Sequence, residues 1–223
     1  MNVLYEDDYI IVCEKPAGIA SQAGKITDKD MVSEVNNYMR RAGAKASAYL
    51  IHRLDKPVRG ILVFAKTKQA AAKLNSQLTG GDFCKKYYAI VEGKPESEEG
   101  ILENYMYKDS KNSKAVIVGE KETIKEAKAA KLSYKVVSKY NESKSPSVLN
   151  DEKEAYLLDI RLFTGRFHQI RCQLSNMGHP IVGDTLYGAS IPYKKRNAIG
   201  LIAYSLSFMH PISNIELCFN IEL

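Results

Sequence analysis

Five runs of β-favouring residues follow one another in the second half of this chain: Phe83 to Glu92, Ile101 to Tyr107, Ala115 to Val118, Ala130 to Val137 and Tyr156 to Leu162. In the fourth, Ala130, Leu132, Tyr134 and Val136 alternate with Lys131, Ser133, Lys135 and Val137. A period of two puts the apolar set on one face of a strand and the polar set on the other, so one side of the sheet meets water. Neighbouring runs of this kind satisfy their backbone groups most simply by pairing antiparallel. The polar stretch from Asn141 to Glu154, with its single proline, reads as an exposed loop.

The first half mixes strands with two helices. Val3 to Tyr5 and Tyr9 to Glu14 read as short strands divided by an Asp7-Asp8 turn, and Pro16-Ala17-Gly18 breaks the pattern. Met31, Val32, Val35, Tyr38 and Met39 recur at helical spacing, with Asp28 or Asp30 as the cap and Gly43 as the stop. Tyr49 to Ile51 and Ile61 to Ala65 look like buried strands. Thr67 caps a second helix carrying Ala70, Ala71, Leu74 and Leu78, which Thr79-Gly80-Gly81 ends. The pattern predicts a single α+β domain over 1–223, built on a large, mostly antiparallel sheet with flanking helices.

With 223 residues and 45% hydrophobic content the chain can bury a sizeable core, and its formal charge of +6 favours an anionic partner such as nucleic acid. Cys13, Cys84, Cys172 and Cys218 are widely spaced, which argues against a zinc site and a disulfide framework alike. The acidic N-terminus does not resemble a signal peptide, and no apolar run reaches membrane-spanning length. The expectation is a cytoplasmic protein with reduced thiols, with no membrane partner.

Two constellations carry chemistry. In His52-Arg53-Leu54-Asp55-Lys56-Pro57-Val58-Arg59-Gly60, basic groups surround a single carboxylate between two apolar runs. Arg53, Lys56 and Arg59 can grip phosphates, and Asp55, held ionised by positive neighbours, can serve as a nucleophile. On spacing alone, a salt bridge that closes a turn before Pro57 explains the cluster better.

The second is Thr164-Gly165-Arg166-Phe167-His168-Gln169-Ile170-Arg171, which opens a predicted helix running to Met177. Phe167, Ile170, Leu174 and Met177 share a face, and Arg171, four residues after Phe167, lies beside it. An arginine at the edge of a core-facing stripe needs a carboxylate, for which Asp55 is the natural candidate, unless it snorkels to solvent. His168 and Gln169 lie off the stripe and face a ligand or water. His179 and His210 read as structural, and Asp184 as a possible cap within a turn.

Together these segments resemble the RluA-type family of RNA pseudouridine synthases. The resemblance runs through nearly the whole chain: Val3 to Gly18 with Lys15-Pro16-Ala17-Gly18, HRLDKPVRG at 52–60, KKYYAIVEG at 85–93, TGRFHQIR at 164–171, GHPIVGDTLYG at 178–188 and SLSFMHP at 205–211. It implies a pseudouridine synthase fold with a central RNA-binding cleft, no cofactor or metal, and isomerisation of specific uridines in structured ribosomal or transfer RNA by a monomeric enzyme. It places the catalytic aspartate on Asp55, the active-site tyrosine on Tyr87, the aspartate's basic partner on Arg171 and the pocket's apolar neighbour on Ile170. Arg53 takes the part of displacing the target nucleotide, and His52, Arg59, Arg166, His168 and Gln169 are candidate substrate contacts.

Three departures stand out. Val58-Arg59-Gly60 replaces the usual Thr-Ser-Gly, Gln173 stands where a histidine is common, and Ile202 stands where another often occurs. The small N-terminal RNA-binding module of many members is not expected here. Pseudouridine formation requires the uridine to leave its stack, which suits a wedge and a closed pocket. A lone carboxylate with a basic partner fits isomerisation better than glycoside hydrolysis, which generally uses two carboxylates. A non-catalytic RNA-binding protein on the same fold is the alternative, and an RNA or nucleoside glycosidase a third reading.

Overall fold

The computed structural model describes residues 1–24, 29–43, 47–119, 124–140, 154–193 and 196–223. Asp28 and nearly all of the expected loop at 141–154 lie outside them. The chain forms two compact units, Met1–Lys85 with Ile202–Leu223, and Lys86–Leu201.

In the first unit, β1 (Asn2–Glu6) and β2 (Ile10–Lys15) form a hairpin. Its turn is held by the Asp7 carboxylate, which accepts from the backbone N–H of Tyr9 at 2.7 Å and of Ile10 at 2.8 Å. β2 pairs antiparallel with β4 (Arg59–Ala65), in a register that sets Lys15 opposite Gly60. The short β3 (Tyr49–Leu50) pairs with the far end of β4. β10 (Leu201–Met209) runs parallel to β4 and antiparallel to β11 (Glu216–Asn220).

Every residue of Ile10 to Cys13 and of Ile61 to Ala65 is buried, so these strands read as continuous apolar runs with both faces covered. Helix α1 (Met31–Arg41) buries Met31, Val35 and Met39, and Asp30 caps it by accepting from the Ser33 N–H at 2.7 Å. Helix α2 (Lys68–Gly80) is capped by Thr67, and Gly81 ends it at φ +90°. Ala70, Ala71 and Leu74 of α2 pack with Ile10, Val12, Ile61 and Val63 in one cluster that also takes in Phe83, Leu206 and Phe208.

In the second unit the strand order is β5 (Cys84–Glu92, entering at Lys86), β9 (Ala155–Leu162), β8 (Lys128–Lys139), β6 (Glu99–Asp109) and β7 (Lys114–Val118). The pairings of β6, β7, β8 and β9 are antiparallel. Ala130, Leu132 and Tyr134 are buried while Lys135 is exposed, as the alternation in the sequence predicts. Helix α3 (Gln169–Asn176) and a short 3-10 helix (Thr185–Tyr187) complete the unit. The α+β class is as expected. No helix among the described residues is long and apolar enough to cross a membrane.

Gly60 marks where backbones come closest. A Cβ there would lie 2.4 Å from Ala203 Cβ and 2.6 Å from the Ala203 carbonyl oxygen, across the β4–β10 pair. Gly60→Ala must therefore push the two strands apart. Chemical denaturation of the variant is expected to show a loss of about 2–3 kcal/mol; an unchanged midpoint and slope would mean that the strands tolerate the separation.

Candidate active site

The loop bearing Asp55 leaves β3 and enters β4. Leu54 is buried and anchors it, a burial that contributes about 2 kcal/mol. Arg53 and Lys56 are exposed and Asp55 is half-buried. The Asp55 carbonyl accepts from the Val58 N–H at 3.0 Å, closing the turn around Pro57.

On one side, the Ser21 hydroxyl donates to the Leu54 carbonyl at 2.8 Å and accepts from the Leu54 N–H at 2.9 Å. On the other, the Lys56 carbonyl accepts from the Gly18 N–H at 2.8 Å and from Lys15 Nζ at 3.2 Å. Lys15 is wholly buried, and its ammonium also donates to the carbonyls of Ile19 at 2.7 Å and Pro16 at 3.0 Å. Burial pulls Lys15 down to about 8, and the charge of Asp55 opposes that fall.

Two of the loop's basic groups have other occupations. Arg59 is half-buried, and its Nε forms an ion pair with Glu14 on β2, so the expected phosphate grip meets a side chain already tied into the sheet. His52 packs edge-on against Phe83, with ring centroids 6.2 Å apart. Burial, helped by the charge of Lys85, pushes its imidazole down to about 3, so it stays neutral at physiological pH. Its Nε2 is buried without a hydrogen-bond partner among the described residues. His52 therefore adds no positive charge around Asp55.

The second constellation lies in the other unit and differs from its sequence reading. Helix α3 starts at Gln169, not at Thr164, because His168 adopts a left-handed conformation at φ +49°. Phe167 is therefore outside the helix, and the four-residue spacing to Arg171 has no helical meaning. Arg171 is nonetheless buried, at 5% exposure, and one carboxylate partner lies in its own unit. Its Nε donates to Asp184 Oδ2 at 2.6 Å and its Nη2 to Asp184 Oδ1 at 2.8 Å. Asp184 is 2% exposed and makes no side-chain cap to the 3-10 helix that follows it; a buried guanidinium has the stronger claim on its charge.

Tyr187 lies under the same guanidinium, 5.0 Å from ring centre to Cζ. Its hydroxyl accepts from the Ala115 N–H at 2.7 Å and bonds His168 Nδ1 at 3.0 Å. The Tyr187 hydroxyl thus joins the backbone at Ala115 to the imidazole of His168. Burial pushes the Tyr187 hydroxyl well above its ordinary value.

Ile170 is buried next to Arg171 in sequence. Gln169, expected as a substrate contact, is 3% exposed and fully occupied. Its oxygen accepts from Thr164 Oγ1 and the Arg166 N–H, and its nitrogen donates to the Lys131 carbonyl and to Gln173 Oε1. It is part of the scaffold. Gln173 extends that network to the Leu102 carbonyl at 3.1 Å and Asn104 Oδ1 at 2.7 Å, tying α3 to β6. Arg166 is exposed, with its Nε on the Ala129 carbonyl at 2.8 Å, and half-buried His168 stacks on Phe167 at 3.8 Å.

Tyr87 is buried on β5, while Tyr88 packs against the cluster of Ile90, Ala155 and Leu157, as alternate faces of a strand require. Among the described residues no group of histidine, cysteine or acidic side chains is arranged to hold a metal.

A family model described as RNA pseudouridylate synthase matches residues 9–176, which include Asp55, Tyr87 and Arg171. The chain belongs to the RNA pseudouridine synthases of the RluA type. It is thus an isomerase of the RNA-modifying kind. It is 31% identical over its whole length to the ribosomal large subunit pseudouridine synthase D of Zymomonas mobilis, spanning 69% of that protein. With the tRNA pseudouridine synthase C of Vibrio parahaemolyticus it shares 33% identity over 97% of this chain and 88% of the relative. The human RNA pseudouridylate synthase domain containing 4 shares the fold, with a TM-score of 0.74 at 23% identity over 100% of this chain and 88% of that one.

Breaking the Arg171–Asp184 pair from one side takes the two-bond fork away from a buried guanidinium. Asp184→Asn is expected to lose about 3–5 kcal/mol of stability, and replacing both residues with apolar ones of similar volume to recover most of it. Urea unfolding of the two variants checks this; a single variant as stable as the parent would show that Arg171 finds compensation without Asp184.

Proposed function

We propose that this chain converts specific uridines to pseudouridine in structured RNA, ribosomal or transfer, with Asp55 as its nucleophile. The observation that carries the reading is the placing of Asp55: a half-buried carboxylate on a turn whose backbone is hydrogen-bonded on both flanks, beside an exposed Arg53. The relatives support the substrate class, since one bears the name of a ribosomal enzyme and another that of a transfer RNA enzyme.

Arg53 enters the space left when the target uridine leaves its stack. Asp55 attacks the anomeric carbon or the uracil ring, and the bond from ribose to the base nitrogen breaks. The base turns and its carbon 5 bonds to the anomeric carbon; the bond to Asp55 breaks, freeing the carboxylate, carbon 5 gives up its proton and the released ring nitrogen takes one up. The likeness to the family assigns Tyr87 the part of offering a flat face and a hydroxyl to the base, and Arg171 that of the cation which keeps the aspartate ionised. Water has to be kept out while the base is detached, because a hydrolysed intermediate would release uracil.

Incubation with unmodified ribosomal and transfer RNA transcripts, followed by nucleoside analysis, tests the reading. Pseudouridine is expected at defined positions of one of them, and Asp55→Asn is expected to bind RNA but form none. Equal product from Asp55→Asn would remove Asp55 from the mechanism. Release of free uracil would make the protein a glycosidase, and binding without product a non-catalytic binder.

A further inference from the structure

We propose that Ser21 is a positioning residue for Asp55, acting through the backbone of Leu54. The proposal rests on the reading of Asp55 as nucleophile given above. Ser21 is 3% exposed, and its hydroxyl closes two bonds to a single residue, donating to the Leu54 carbonyl at 2.8 Å and accepting from the Leu54 N–H at 2.9 Å. Leu54 is itself buried, so water is poorly placed to replace either bond. A hydroxyl is the smallest side chain that both donates and accepts, and here it does for the residue before Asp55 what a neighbouring strand does in a sheet.

Ser21 is held in its turn. Its carbonyl accepts from the Val32 N–H at 3.3 Å, and the Ala20 carbonyl accepts from the Met31 N–H at 3.0 Å, both from the first turn of α1. Asp30, which caps that helix through Ser33, also accepts from the Ala23 N–H just beyond Ser21. The path therefore runs from the start of α1 through Ser21 and Leu54 to Asp55. On the opposite flank, the Gly18 N–H and Lys15 Nζ meet the Lys56 carbonyl. One short segment, Lys15 to Ser21, thus holds the residues on either side of the nucleophile. The Lys15 side remains when Ser21 is altered, so the loop keeps one anchor while Asp55 gains freedom.

The test compares Ser21→Ala, Ser21→Cys and Asp55→Asn with the parent in single-turnover assays on the modified transcript, alongside RNA-binding titrations. Rates are expressed per RNA-binding-competent molecule, which removes any loss due to misfolding. Ser21→Ala is expected to bind RNA with unchanged stoichiometry and affinity while its isomerisation rate falls by about tenfold to a hundredfold. Ser21→Cys, close in size but a weak hydrogen-bonder, is expected to fall between the two and keeps the test open should the alanine variant not fold. A Ser21→Ala rate within about twofold of the parent, or a loss that tracks binding-competent protein alone, would overturn the proposal. An active Asp55→Asn would instead overturn the assignment of Asp55, so the two failures are distinct.

Discussion

Asp55, as the proposed nucleophile, would have to be held within a few tenths of an ångström of its reaction geometry, and the backbone around it is built to hold it. The pairing of β2 with β4 sets Lys15 opposite Gly60, at the point where the Asp55 loop becomes strand. From there Lys15 turns its ammonium into three carbonyls, one of them on Lys56. Gly60 lets β4 approach β10 closely enough to fix the same end of the loop. Burying the lysine is costly, as its lowered affinity for the proton shows, and the three carbonyls offset part of that cost. The sheet, the helix start and the loop are thus parts of one constraint, whose object is Asp55.

The second unit solves a similar problem with a different pair. Arg171 is buried on α3, and Asp184 takes its Nε and Nη2 edge in a two-bond fork. That fork fixes the plane of the guanidinium, and Tyr187 supports its face. Tyr187 is fixed through Ala115 and His168, so the left-handed turn at His168 and the first residues of β7 both bear on how Arg171 is held. Buried pairs of this kind contribute orientation more than stability.

What was legible in the sequence was what local pattern controls. Alternation in β8, the caps at Asp30 and Thr67, and the glycine stop of α2 all follow from side chains close to the backbone they serve. The relation of the motifs to the family was legible as well, because it lies in the order of whole segments. Contacts set by tertiary distance were not. Ser21 meets Leu54 across 33 residues, and Arg59 meets Glu14 across 45. The helical pattern also ran five residues too far at the start of α3: Phe167 fits the stripe, but the positive φ of His168 stops the helix before reaching it. Asp184 looked like a cap because acids often precede short helices, and only the buried guanidinium beside it reveals its use. β10 was hidden for a related reason: its parallel partner β4 lies far away in the chain, and its burial does not alternate cleanly.

The central claim is that Asp55 forms the bond that starts the isomerisation. The most direct measurement uses RNA in which uridine carries fluorine at carbon 5, where a proton must otherwise leave for the reaction to finish. Mass spectrometry of the digested complex should find either the RNA attached to Asp55, if the ring is attacked, or a fluorinated base rejoined through carbon 5, if the sugar is attacked, and neither with Asp55→Asn. An adduct on another residue, or either product formed equally by Asp55→Asn, would contradict the account.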